Sequence, residues 1–217
     1  MSSDVRPIAL IVGTRPELIK SSPVARRLGA RATVLHTGQH NDERMSSRLA
    51  TTLGLRGRVL AVPSPGVGRG GRLGHTVAAL ARTFTIDPPS AVVVQGDTTS
   101  ALAGALAANH ADLPLIHVEA GLRSFDRTMP EEHNRVLIDH LADLCCAPTA
   151  LNRSNLLAEA IPDGRIALTG NTVVDAVHQL LPDARSRCEI RRRRDLHDGA
   201  TSSPPCTARR TSITAPS

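Results

Sequence analysis

The chain has 217 residues, 41% of them hydrophobic, which supports one well-cored domain with a tail. No apolar run is long enough to cross a membrane, and Met1 to Arg6 lack the charged and apolar regions of a secretory leader, so a cytoplasmic protein is expected. The formal charge of +6 invites a nucleic-acid reading, but residues 1–179 hold 18 basic and 16 acidic side chains while residues 180–217 hold 8 and 4, and Phe84 and Phe125 are the only aromatic residues, so a base-stacking platform is excluded.

From the N-terminus, Ile8–Val12 reads as a buried strand and Pro16–Leu28 as the helix after it. Thr33–His36 and Arg58–Val62 follow as strands, with a helix over Asp42–Leu53 between them. The Pro- and Gly-rich stretch Pro63–Gly71 reads as a mobile loop, and Leu73–Phe84 as a helix. Then come strand Ala91–Val94, helix Thr98–Asn109, strand Leu115–Val118, helix Pro130–Leu141, strand Leu144–Ala147, helix Ala150–Ala160, strand Ile166–Leu168 and helix Val173–Leu181. The strands are β-branched or continuously apolar, as strands covered on both faces are. Regular strand–helix alternation predicts an α/β fold with a Rossmann-like, doubly wound parallel sheet over residues 1–181. From about Pro182 neither period survives, and residues 182–217 are expected to be a disordered tail.

In doubly wound sheets ligands bind beyond the carboxyl ends of the strands. The residues there are Gly13-Thr14-Arg15-Pro16-Glu17 after the first strand, Thr37-Gly38-Gln39-His40 after the second, Gln95-Gly96-Asp97-Thr98-Thr99 after the fourth, and Glu119-Ala120-Gly121-Leu122-Arg123 after the fifth. Gly13 suits a tight turn, Pro16 suits a helix start, and the N–H groups of that start can face an anion. Arg15 and Lys20 add positive charge; Lys20 is the only lysine among 26 basic residues. No GxGxxG is present, so no dinucleotide cofactor is expected.

Asp97 reads either as a helix N-cap or as a functional carboxylate. Glu119 closes an apolar strand beside Gly121, where a capping role is less natural. A carboxylate in a partly desolvated cleft can serve as acid or base. Glu131 and Arg135 share one helix face, as a surface ion pair or as part of a site. His36, His40 and His117 fit no metal-ligand spacing, and Cys145 and Cys146 read as small buried hydrophobes.

Taken together and in this order, the strings GTRPELIK (13–20), GQH (38–40), QGDTTSALAGALAA (95–108), HVEAGLRS (117–124), MPEEHNR (129–135) and LTGNTVVDA (168–176) resemble the non-hydrolysing UDP-N-acetylglucosamine 2-epimerase family. The resemblance covers nearly all of residues 8–178. It implies the N-terminal half of a two-domain GT-B architecture. The activity it implies is interconversion of UDP-GlcNAc and UDP-ManNAc, by elimination of UDP to a glycal and re-addition. Neither NAD nor a catalytic metal is implied, and the partners expected are the two nucleotide sugars and a second copy of the chain. By motif, Asp97, Glu119 and Glu131 become acid/base candidates. Arg15, Lys20, His40, Arg123 and Arg135 become substrate-binding candidates.

The second domain of that family is missing from this sequence. Read with the third base of each codon joined to the first two of the next, Pro205 to Ile213 permits Val-His-Arg-Ala-Glu-Asn-Ile-Asp, which resembles the motif opening that domain. A frameshift between about Asp175 and Arg194 is the reading this supports, with epimerisation impaired in the chain as written. The alternatives are an inactive sugar-nucleotide-binding fragment and a hydrolysing epimerase that releases UDP and ManNAc.

Overall fold

The computed structural model describes residues 6–38, 51, 53, 55, 57–60, 68–181, 186, 189 and 193. Two units are distinguished, Met1–Gln179 and Leu180–Ser217. In the first, seven strands form one wholly parallel sheet: β1 Ile8–Val12, β2 Ala32–His36, β3 Gly57–Val59, β4 Ala91–Gln95, β5 Leu115–Val118, β6 Leu144–Ala147 and β7 Ile166–Leu168. Their order is β3-β2-β1-β4-β5-β6-β7. The chain winds outward from β1 to β3, returns past β1, and winds the other way from β4. The switch point therefore lies between β1 and β4, which pair from Ile8↔Ala91 to Ile11↔Val94.

The helices are α1 Arg15–Leu28, α2 Arg69–Ile86, α3 Thr99–His110, α4 Pro130–Leu141, α5 Ala150–Ala158 and α6 Thr172–Leu180. Two-residue alternation along the strands feeds two apolar layers. Leu10, Val12, Val34 and Val93 pack with Leu18 and Ala25 of α1. Ala9, Ile11, Val92 and Val94 pack on the opposite face with Leu80 and Phe84 of α2 and the alanines of α3. Helix α3 is buried over most of its length, so its sequence is apolar all round rather than striped.

Proline at position 23 lies inside α1 and removes the N–H that would reach the Ile19 carbonyl. The Ser22 hydroxyl donates to that carbonyl instead, at 2.8 Å, and the helix continues to Leu28. Helix α2 begins at Arg69, ahead of the expected Leu73, so Arg69–Gly71 are helical rather than loop. The glycines there weaken local helix preference. The structure supplies a tertiary hold: Arg69 Nη2 donates to the Pro130 carbonyl and to Asn134 Oδ1, each at 3.1 Å.

Residues 63–67 of the expected Pro63–Gly71 loop and nearly all of the expected helix Asp42–Leu53 lie outside the described residues. So does most of the expected tail, in which the described residues Ser186, Glu189 and Arg193 are helical. Among the described residues, no helix is long and apolar enough to cross a membrane.

Candidate functional site

A cavity of about 260 Å³ opens at the switch point. Thr14, Pro16, Glu17 and Lys20 line it from the start of α1, Gln95 to Thr98 from the β4–α3 turn, Glu119 and Leu122 from the end of β5, and Arg135 from α4. Sites that enclose a drug-sized ligand run to roughly 300–1,000 Å³. This cavity falls just below that range.

Two ion pairs face it. Lys20 Nζ donates to Glu119 Oε1 at 2.9 Å and to Oε2 at 2.8 Å, and Gln95 Nε2 also donates to Glu119 Oε2. Arg135 Nη2 donates to Asp97 Oδ2, and Arg135 Nη1 to Glu132 Oε2 at 2.9 Å. Glu119 takes a left-handed backbone, φ 71°. That conformation costs a non-glycine residue about 1–3 kcal/mol and persists only where the surroundings enforce it. Here the enforcing contacts include the Gly96 N–H on the Val118 carbonyl and the Ala120 N–H on the Cys146 carbonyl, both 3.0 Å.

Of the expected site residues, Lys20, Asp97, Glu119 and Arg135 come together. Glu131 is exposed on the first turn of α4 and does not line the cavity. Its expected i,i+4 partnership with Arg135 gives way to the i,i+3 pair Glu132–Arg135. Arg15 is exposed at the start of α1, also outside the lining. His40 lies outside the described residues. Arg123 points inward, its side chain 1% exposed. It donates to both Glu159 carboxylate oxygens at 2.6 Å and lies 2.8 Å from Asp139 Oδ2.

Asp97 does not cap α3. Thr98 does, accepting from the Ala101 N–H at 3.1 Å, which leaves the Asp97 carboxylate for Arg135. Gly13 serves a different purpose from the one its turn position implies. Its φ is not left-handed. A Cβ there would sit 1.9 Å from Ser100 Oγ and 2.9 Å from Thr37 Oγ1, so close approach of the turns is the constraint. Gly121 needs both freedoms: φ is 77°, and a Cβ would lie 2.3 Å from the Asn152 carbonyl oxygen.

Sequence reasoning missed the residues that hold the site from behind. Glu132, at the third position of α4, accepts from the Ser124 and Phe125 N–H groups at 3.0 and 2.9 Å and from the Ser124 hydroxyl at 2.9 Å. Burial pushes its carboxyl up, but those donors and the Arg135 charge outweigh burial and hold it below the usual carboxylate range. Asn134 donates to the Asp97 carbonyl at 2.7 Å. His117 Nδ1 lies 2.6 Å from Asp139 Oδ1 and its Nε2 lies 2.9 Å from the Gly96 carbonyl. Both ring nitrogens lie against oxygens, which fixes the ring between Asp139 of α4 and the β4–α3 turn. A Glu at the third helical position is a readable capping signal. The reach of His117 to the neighbouring strand's turn has no sequence signature.

Cys145 and Cys146 stay out of this chemistry. Burial pushes the Cys145 thiol up to about 12 and also raises that of Cys146, so neither is a ready nucleophile.

The family model for UDP-N-acetylglucosamine 2-epimerase matches residues 24–202. The chain belongs to that family. It is 43% identical over 184 residues to the UDP-N-acetylglucosamine 2-epimerase of Methanococcus maripaludis, covering 84% of this chain and 50% of the relative. Identity to the Methanocaldococcus jannaschii enzyme is 41% over 187 residues, 85% of this chain and 51% of the relative. The crystal structure of the latter in complex with UDP-GlcNAc and UDP superposes with a TM-score of 0.77, covering 86% of this chain and 53% of that one. The chain thus spans about half the length of the epimerases it matches. Its Rossmann-like domain is the N-terminal half of their GT-B architecture.

Proposed function

We propose that this chain is the sugar-handling half of a UDP-N-acetylglucosamine 2-epimerase that interconverts UDP-GlcNAc and UDP-ManNAc. The observation that carries the reading is the pairing of Lys20 with Glu119 at the end of β5, in one cavity with Asp97 and Arg135. The reaction removes the C2 proton while the C1–O bond breaks. The C2–H electron pair becomes the C1=C2 double bond of a glycal, and UDP leaves with the C1–O pair. In the return step UDP oxygen re-forms the bond to C1, and a proton is delivered to C2 from the opposite face.

Such a sequence needs a base on one face, an acid on the other, and positive charge near the departing diphosphate. Besides Glu17, whose carboxyl oxygens are engaged by Gly13, Thr14 and Thr98, the cavity is lined by the carboxylates of Asp97 and Glu119 and by the cations Lys20 and Arg135. Glu131, Arg15 and His40 keep their assigned roles from the family resemblance alone. Arg123, buried behind Gly121, contributes by fixing the loop after β5. The homodimer and the cytoplasmic location rest on the resemblance and the composition.

Because the chain spans half the length of its relatives, a second reading is binding without turnover. Both readings predict that titrating the isotopically labelled chain with UDP-GlcNAc shifts the backbone amides of Lys20, Gly96, Asp97 and Glu119. Saturable shifts confined to other parts of the sheet would sink both.

A further inference from the structure

In a doubly wound fold, the turn after β1 and the first N–H groups of the following helix ordinarily seat a phosphate. Here that position is filled. Glu17 Oε2 accepts from the Gly13 N–H at 3.0 Å, the Thr14 N–H at 2.7 Å and the Thr14 hydroxyl at 2.8 Å. Its other oxygen accepts from the Thr98 hydroxyl at 2.6 Å, across the switch point. An ordinary capping box needs only the bond to the Thr14 N–H. The further convergence of Gly13 and of a donor from the β4–α3 turn makes a nest of four donors around one carboxylate, and Glu17 is 2% exposed.

We infer that Glu17 is a resident occupant of this turn: its carboxyl oxygens fill the N–H groups that open α1 and close the switch point to phosphate. The position where a nucleotide's diphosphate would lie in a dinucleotide-binding domain is taken by the chain itself. What remains open beside it is the cavity bounded by Lys20, Asp97 and Glu119. On the nucleotide-sugar reading, which this consequence rests on, the sugar end enters that cavity and the diphosphate is held elsewhere. The occupancy itself is independent of that reading. Glu17 is then a specificity-determining residue, since it turns a general phosphate cradle into a wall.

The test is a titration of the isotopically labelled chain with inorganic pyrophosphate, following the Gly13 and Thr14 amide resonances. In the native chain both stay unmoved. In Glu17→Ala the two N–H groups are released, and both resonances shift saturably. In Glu17→Gln the amide oxygen still accepts from them, and the position stays closed. Saturable shifts at Gly13 and Thr14 in the native chain would overturn the inference, as would a folded Glu17→Ala variant whose amides ignore pyrophosphate. If Glu17→Ala does not fold, the native titration and Glu17→Gln still decide, since a shift in either contradicts closure. Failure here leaves the binding of UDP-GlcNAc, measured separately at Lys20 and Glu119, untouched.

Discussion

Asp139→Asn is expected to destabilise the domain by about 3–5 kcal/mol near neutral pH, the cost of removing one partner from a buried ion pair. Stabilities of single domains are about 5–15 kcal/mol, so this is a large share of the total. Asp139 is fully buried and serves three donors: His117 Nδ1 at 2.6 Å, Arg123 Nη1 at 2.8 Å and the Gly121 N–H at 3.1 Å. An asparagine leaves the buried Arg123 guanidinium with Glu159 as its remaining carboxylate and turns an NH2 toward other donors. Burial pushes the Asp139 carboxyl up, but His117 and Arg123 outweigh it and hold it below the usual range. A depressed folded-state value means the contribution is present above the unfolded value of about 3.9 and is lost as pH falls through the folded one. Glu132 works in the same direction. Urea unfolding of the native chain and the variant should therefore differ most at neutral pH and converge in acid. An equal gap at all pH values would contradict the charge argument.

The second large effect is on turnover. Lys20→Ala and Glu119→Gln are each expected to lower kcat by about 10²- to 10⁴-fold, the usual range for a positioned acid or base. The measurement uses this chain joined to the second half of the Methanocaldococcus jannaschii relative, with UDP-GlcNAc as substrate. Glu119→Gln keeps the shape but cannot take up a proton as a carboxylate does. Lys20→Ala leaves Glu119 with Gln95 as its remaining side-chain donor among those described. Loss of turnover with UDP-GlcNAc still bound separates a chemical role from a binding one.

The architecture was legible because the central strands β1 and β4 are buried along nearly their whole length. Runs such as Ala91–Val94 and Leu115–Val118 carry no polar alternation, and a parallel sheet follows. The edges were less so. Gly70 and Gly71 read as loop, yet contacts from α4 hold Arg69–Gly71 in helix α2. Ala160 was expected inside its helix, but α5 ends at Ala158 and Ala160 takes φ 63°.

At the site, strand-end position brought out Asp97 and Glu119, Lys20 stood out as the lone lysine near the first turn, and the cavity contains all three. What could not be read was the division of labour between neighbours. In the pair Glu131–Glu132, helical phase turns the first outward and the second into the loop after β5. In the pair Asp97–Thr98, the threonine takes the cap and frees the aspartate. Glu17 carried no assigned role in the string after the first strand. Its three-way role depends on Thr98, eighty-one residues away, and burial there outweighs its four donors, raising its carboxyl above the usual range.

On the proposed function, carboxylates in this cavity exchange the C2 proton of a UDP-linked amino sugar. Running UDP-GlcNAc in D2O with the joined protein, and reading the C2 position of both epimers by mass and proton resonance, tests this. Deuterium is expected at C2 in UDP-ManNAc and in recovered UDP-GlcNAc, with exchange lost in Glu119→Gln. UDP-ManNAc formed with its original C2 hydrogen retained would contradict it.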